Sequence, residues 1–374
     1  FNLDFENDSP ADCPEITFLN IEIDNQESEY MAYLDDYLKK NDMKRNNLFA
    51  DISNYLSYET GQPSHCYDSN KINKKLVFQK NDCNENFKTL TDSEIQLEGT
   101  NCVFSMADEV ICLAGIIGGS STCSSNKTTN CLIEFAYFNP ESITGKATRY
   151  KTNSDAAYKF ERGVDRCQQD RAMRRFIQII SEHAKINKIS SYKYQKDEYL
   201  PVEIPFNPKI INDILGIDIS NKEYIEILES LQFDIQDTIK VPSFRNDISH
   251  QNDLAEEVAR VIGYDNIANK EFKLLPSIEN IKPKINTLLL RSNLIKSGFC
   301  EVINFPFTSN NNKDSFVVDN PLDTGKAYLR TSTKDSLIEN LLFNERRQKD
   351  SVKLFEFTNI YEKDDNINSR RVLG

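Results

Sequence analysis

The sequence predicts a multidomain α+β chain, and three observations predict it. At 374 residues it is long enough for two or three domains. Strand-like runs of period two and helix-like runs with an apolar stripe are interspersed along its length. The pattern also changes character twice, around 199–205 and again near Lys282.

Residues 1–25 alternate acidic and apolar residues and hold one predicted strand, "EITFLNIEI". "YMAYLDDYLKKNDM" has helical spacing. A second helix, inside "NNLFADISNYLSYETGQPSHCYD", is predicted to stop at Gly61 and Pro63, both strong breakers. Two or three strand-like runs follow and end in "EVICLAGIIGGSS". "NCLIEFAYFNP" reads as a buried strand over Leu132–Phe138, closed by a turn at Asn139–Pro140. "AAYKFERGVDRCQQDRAMRRFIQIISEHAK" carries long helical periodicity, interrupted at Gly163.

Beyond Tyr199–Pro205, "NPKIINDILG" and "NKEYIEILESLQF" read as two short helices. "IKVPSFRNDISHQNDLAEEVARVIGYDNI" reads as a strand, a turn and a helix. A helix–helix–strand–helix unit of about 70 residues is a small domain. The third segment holds a helix "INTLLLRSNLIKSG", strand-like "EVINFPF", a helix "KDSLIENLLFNERRQ" and the run "VKLFEFTNIY". The chain stops at Gly374 straight after a strand-like run, as expected of a truncated C-terminus.

Composition narrows the function classes. Apolar residues make up 39%, ample for cores, yet no run of about 18 apolar residues exists to span a membrane. The nine cysteines are scattered and none forms C-x-x-C. That argues for free thiols in a reducing compartment, against a disulfide frame or a zinc site. The net charge of −13 weighs against general polyanion binding. Residues 145–175 are the exception, with nine Lys or Arg against four Asp or Glu. Such a stretch meets a phosphate backbone or forms a solvated helix face; the residues alone leave both open.

Four local patterns carry possible chemistry. Glu134 is the one carboxylate on the strand Leu132–Phe138, where both faces are apolar. It is either a half-exposed or salt-bridged residue on an edge strand, or a pocket acceptor for a polar ligand group. "AGIIGGSS" sets Gly115, Gly118 and Gly119 after a strand. It is not G-x-G-x-x-G and lacks a P-loop Lys, so it reads as a turn that a backbone or ligand approaches closely. Asp253, Glu256 and Glu257 stand at i, i+3 and i+4 on a helix, with Asp247 just before it and no interleaved base. They would suit a hard cation such as Mg²⁺, or Asp253 is an N-cap with Glu256 closing a capping box. His65 follows the breaker "GQP" in a predicted loop.

These motifs, in order and correctly spaced, resemble the bacterial phenylalanyl-tRNA synthetase beta-subunit family over essentially the whole chain. The likeness rests on "DISNYLSYETGQPSHCYD", on "LAGIIGGSS" with "NCLIEFAYFNPESITGKATR", on "SDAAYKFERGVD" and on "PSFRNDISHQNDLAEEVARVIGYDNI". It implies a mixed α/β editing domain over residues 1–198 and a small winged-helix-like domain over 199–270. A truncated, non-catalytic class II synthetase-like antiparallel α+β module follows over 275–374. The family's N-terminal tRNA-binding barrel and C-terminal anticodon-binding domain are not matched, so an internal fragment is expected.

The resemblance also implies roles. With an alpha subunit, in a two-alpha, two-beta heterotetramer, the family uses ATP to attach phenylalanine to tRNA(Phe) in the cytoplasm. The beta subunit hydrolyses mischarged Tyr-tRNA(Phe). Glu134 matches the residue that reads tyrosine's hydroxyl, and His65 the editing-site histidine. Gly118, Ser154 and Ala156 match the editing site, and Gly115, Ser53, Asn54 and Arg149 the pocket and its tRNA end. Ser stands at 53 and 154 where the family has Thr, and Tyr150 where many members have His. Asp247, Asp253, Glu256 and Glu257 match a Mg²⁺ site shared with the alpha subunit. Leu354-Phe355-Glu356 replaces the R-x-E triplet of a working class II site, so activation is assigned to the alpha subunit. Two alternatives stand beside this reading: a tRNA-binding and subunit-interface scaffold with decayed editing, and a free-standing trans-editing protein.

Overall fold

The computed structural model describes residues 3–26, 29–269, 287–311, 315–349, 351–363 and 367–374. It is a mixed α+β structure whose contacts divide into two compact units at 271/272. The expected start of the third segment, 275–286, lies outside the described residues.

In the first unit, β1 (Phe5–Asn7) and β2 (Glu15–Ile23) precede the helices α1 (Ala32–Lys40) and α2 (Leu48–Thr60). Next come β3 (His65–Asp68), β4 (Leu76–Lys88), β5 (Glu94–Met106), β6 (Glu109–Leu113), β7 (Ile117–Gly118) and β8 (Asn130–Tyr137). Then follow α3 (Pro140–Ile143), α4 (Lys146–Arg149), α5 (Asp155–Arg162), α6 (Gln169–His183) and β9 (Ile186–Gln195). The strands make a five-stranded sheet, β1-β4-β5-β6-β7, and a four-stranded sheet, β3-β8-β2-β9.

Local chemistry sets the ends of the elements that matter. Asn47 caps α2, its side chain accepting from the Ala50 N–H at 3.1 Å. Gly61 ends α2 with φ +79°, the left-handed conformation glycine adopts without cost. Asn139 caps α3 with Pro140 at its first turn, so the expected turn there is a helix start.

The four-stranded sheet is a middle layer. One face, with Phe18, Tyr67, Leu132 and Ala136, shares a core with Phe78, Val103, Phe104 and Leu113 of the five-stranded sheet. The other face, with Leu19, Ile133 and Phe135, packs on Ile52 and Leu56 of α2 and Phe176 and Ile180 of α6. β8 is therefore apolar on both faces because both are covered.

The rest of the unit is β10 (Glu203–Pro205), α7 (Pro208–Leu215), α8 (Asn221–Ser230), β11 (Asp234–Ile235), β12 (Thr238–Lys240) and α9 (Gln251–Ile262). It has its own core around Ile211, Tyr224, Leu228, Ile239 and Leu254. An antiparallel sheet, β10-β12-β11, adds two strands to the helix–helix–strand–helix pattern.

The second unit holds α10 (Thr287–Lys296), β13 (Cys300–Glu301), β14 (Phe307–Thr308), β15 (Tyr328–Leu329) and α11 (Lys334–Glu345). β16 (Leu354–Phe355), β17 (Phe357–Lys363) and β18 (Ile367–Leu373) close it. The strands pair as β13-β16, β14-β15 and β17-β18. The first pair is parallel and the other two are antiparallel. Among the described residues no helix is long and apolar enough to cross a membrane.

Candidate functional site

β3 and β8 run antiparallel with His65 directly opposite Glu134. Opposed residues share a face, so both side chains point toward the core between the two sheets. Tyr67, two residues along β3, shares that face and reaches diagonally. Its hydroxyl donates to Glu134 Oε2 at 2.8 Å. Glu134 is 5% exposed and Tyr67 fully buried. Burial pushes the Glu134 carboxyl up from 4.5 to about 8, against the opposing pull of the Tyr67 hydrogen bond. Burial also drives the Tyr67 phenol well above its ordinary value. Glu134 is thus no salt-bridged strand residue; its described partner is a neutral phenol.

The His65 ring meets Tyr67 edge-on, centroids 4.4 Å apart. Its Nε2 is sealed from solvent and has no hydrogen-bond partner among the described residues. Burial lowers its basicity from 6.5 to about 4, so the imidazole is neutral at pH 7. Gly118 makes room for it: a Cβ there would overlap the ring's Cε1 and Nε2. Gly115 has φ +70°, and a Cβ there would press on Ile143 and Phe138 at 3.0 Å. These two glycines are required by space and by backbone conformation respectively.

One cavity of about 420 Å³ joins these parts. Its wall includes Ser53 and Asn54 from α2, His65 from β3, Gly115 and Gly118, Glu134 from β8, and Ser154 and Ala156 at the start of α5. Phe138 and Phe160 give it an apolar side. A second, smaller hollow of about 290 Å³ near Arg166 contains none of these residues. The two serine hydroxyls are engaged. Ser53 Oγ donates to the Ser64 carbonyl at 2.7 Å. Ser154 caps α5, accepting from Ala157 N–H at 3.0 Å and donating to the Ile116 carbonyl at 2.6 Å.

Not every expected residue reaches the cavity. Arg149 is exposed and lies against Gly99 and Tyr150, outside the lining residues. The period of the short helix α4 turns it away. Tyr150 is buried, donating to the Glu98 carbonyl at 2.9 Å. Tyr67 is the residue the sequence reading missed. Its signal was present, since the i, i+2 step from His65 puts it on the same strand face.

The acidic group on α9 is arranged differently from its expectation. His250 is the N-cap, and Asp253 is the third helical residue. The Asp253 carboxylate accepts from the Ser249 and His250 N–H groups, both at 2.8 Å. Arg245 is the base the sequence pattern hid. It donates to Asp247 at 2.9 and 2.7 Å and to Glu257 at 2.8 Å. Arg245 first, with Arg260, holds the Glu257 carboxyl down at about 2. Glu256 is exposed. Among the described residues no group of three or more His, Cys, Asp or Glu could hold a metal ion. Asp247, Asp253, Glu256 and Glu257 as placed do not fit Mg²⁺: two carboxylates are taken by Arg245 and a third by the helix start.

In the second unit Glu356 is 2% exposed and pairs with Arg330, itself 4% exposed, at 3.1 Å. Asn304 donates to the same carboxylate from its N–H and its amide, at 3.0 and 3.1 Å. Leu354 pairs with Cys300 across β16 and β13. The triplet Leu354-Phe355-Glu356 is therefore structural here, its acid tied to a buried guanidinium.

Comparison with known proteins shows what the chain is similar to. Residues 12–185 match the B3/4 domain, 204–264 the tRNA synthetase B5 domain, and 282–373 the phenylalanyl tRNA synthetase beta chain CLM domain. The phenylalanine–tRNA ligase beta subunit of Vibrio parahaemolyticus is 27% identical over 93% of this chain and 45% of its own length. That of Chlorobaculum tepidum is 31% identical over 86% of this chain and 42% of its own. The chain spans just under half the length of these relatives. The solved N-terminal fragment of the phenylalanyl-tRNA synthetase beta-subunit from Pyrococcus horikoshii is 15% identical at a TM-score of 0.32. That match covers 70% of this chain and 74% of the fragment.

Proposed function

We propose that this chain, which resembles the bacterial phenylalanyl-tRNA synthetase beta subunit across three matched domains, hydrolyses Tyr-tRNA(Phe) in the Glu134 cavity. The observation that supports this is the convergence of Ser53, Asn54, His65, Gly115, Gly118, Glu134, Ser154 and Ala156 on one cavity from distant stretches of sequence. The domain limits suggested above, 1–198 for editing, 199–270 for the winged-helix-like part and 275–374 for the class II-like part, belong to the same proposal.

The chemistry follows from the side chains. A tyrosyl ring fills the apolar side near Phe138 and Phe160. Its hydroxyl donates to the Glu134 oxygen that Tyr67 leaves over. Above about pH 8, where the carboxyl is ionised, a hydrogen bond to it is worth about 1.5–3 kcal/mol, roughly ten- to a hundredfold in preference. Phenylalanine gives no such bond and leaves the buried carboxyl unanswered. The neutral His65 ring, part of the cavity wall, orients a water against the aminoacyl ester carbonyl. The glycine loop lets the ester approach the backbone closely. The 3′ end of the tRNA enters beside Ser53 and Asn54.

In the assembled enzyme the partner is an alpha subunit, in a two-alpha, two-beta arrangement in the cytoplasm. ATP and phenylalanine are that complex's substrates, and Leu354 supplies no phosphate ligand here. Mg²⁺ would bind at Asp247 and Glu257 only after Arg245 left them.

One observation favours a second reading, a scaffold with decayed editing: the Ser53 and Ser154 hydroxyls are both spent on the protein itself. The test separates the two. Wild type and Glu134→Ala are incubated with Tyr-tRNA(Phe) and Phe-tRNA(Phe). Editing requires wild-type hydrolysis of the tyrosyl ester, and a preference over Phe-tRNA that falls at least tenfold in the mutant. An unchanged preference would falsify the role of Glu134; no wild-type hydrolysis would leave the scaffold.

A further inference from the structure

The Glu134 carboxyl already has a phenol on it before any ligand arrives. Tyr67 Oη lies 2.8 Å from Glu134 Oε2, and among the described residues no hydrogen bond reaches Oε1. We propose that Tyr67 is a positioning residue that sets specificity: it pins the Glu134 carboxyl and leaves one oxygen to read one ligand hydroxyl. The inference rests on the editing reading above and deepens it.

The geometry carries it in three steps. A carboxylate has about four acceptor positions, and a free one turns about its last bond to satisfy any donor. In a cavity built to reject a ligand that differs by one hydroxyl, that freedom would blur the reading. Water or a differently seated group could take the same oxygen. Tyr67 removes the freedom. Its ring is fully buried, stacked edge-on against His65 and packed in the core between the sheets. A rigid two-torsion side chain anchored this way holds its hydroxyl, and hence the carboxyl plane, with little residual entropy. The same ring fixes the imidazole, so one side chain orients both the hydroxyl reader and the neighbouring base.

The groups around Glu134 make the effect readable by pH. Tyr67 and His65 face it from β3, Cys112 from β6, and Cys13 from the loop before β2. Burial raises Cys13, Cys112 and Tyr67 well above their ordinary values, and His65 loses its proton near pH 4. Between about pH 5 and 9 Glu134 is the local group that changes charge. Tyr67 stabilises its ionised form, so losing the hydroxyl pushes ionisation to higher pH.

The test is Tyr67→Phe in the full chain, which keeps the ring and deletes the hydroxyl. Hydrolysis of Tyr-tRNA(Phe) and Phe-tRNA(Phe) is followed from about pH 5 to 9, alongside a thermal melt. The expected result is a preference for the tyrosyl ester reduced about tenfold, with the acid limb of the tyrosyl profile moved up by about one pH unit. Unchanged preference and limb overturn the proposal. So does an equal loss on both esters with an unmoved limb, which would make Tyr67 merely structural. Absence of hydrolysis by the wild type is a different failure, that of the editing reading itself, and it takes this inference with it.

Discussion

Replacing Glu134 by Gln should make the first unit less sensitive to rising pH. In the folded chain burial lifts the carboxyl from 4.5 to about 8. A raised folded value means the stabilising contribution is complete below about pH 4.5 and is lost as the pH climbs through about 8. Each pH unit in that window is worth about 1.4 kcal/mol, so the full swing is about 5 kcal/mol and the part between pH 5 and 7 about 3. Glutamine keeps the shape and an acceptor for the Tyr67 hydroxyl but has no proton to lose. The chain has no Trp, so urea unfolding is best followed by circular dichroism, at several pH values for both proteins. The stability of Glu134→Gln relative to wild type should improve by about 3 kcal/mol from pH 5 to 7. Other titrating groups cancel in that difference. Parallel curves would mean that Glu134 is solvated, and the argument for a buried hydroxyl reader would fall with it.

Two further outcomes follow from the packing. Gly118→Ala should displace the His65 ring, since the added Cβ overlaps Cε1 and Nε2 while the backbone there needs no glycine conformation. Tyr-tRNA(Phe) hydrolysis should drop at least tenfold with an unchanged far-UV spectrum, and wild-type rates would remove His65 from the chemistry. Arg330→Leu strands the Glu356 carboxylate in the second unit, at a cost of about 3–5 kcal/mol. Hydrogen exchange at Phe357–Lys363 should accelerate accordingly, and unchanged protection there would show that the pair contributes nothing.

Much of the fold was legible because its signals are local. The strand "EITFLNIEI", the stop of α2 at Gly61 and the break of the long helix at Gly163 all depend on residues a few positions apart. Strand β9 was not anticipated: it is an edge strand beside β2, and its alternation of half-exposed and exposed residues lacks the apolar run that marked β8. The parallel pair β13-β16 was hidden for another reason. Its two-residue strands lie about 50 residues apart, and pairing sense has no local signature.

The site divides along the same line. Positions such as His65, Gly118 and Glu134 could be named from order and spacing, yet what each touches depends on partners distant in sequence. Asp247 and Glu257 looked like mutually repelling acids because Arg245 reaches one of them across 12 residues. Glu134 looked unpaired because Tyr67 is 67 residues away in the chain, though diagonal to it in the sheet. The two cases end in opposite electrostatics. Arginine holds the Glu257 carboxyl ionised and spends it on the fold, at about pH 2 and above. A neutral phenol leaves the Glu134 carboxyl near 8, so it is mostly protonated at pH 7 and its charge responds to what enters the cavity. A carboxylate neutralised by a cation has little left to offer a ligand. One held by a phenol keeps an open oxygen and a strong demand for a donor, and discrimination by a single hydroxyl needs that combination.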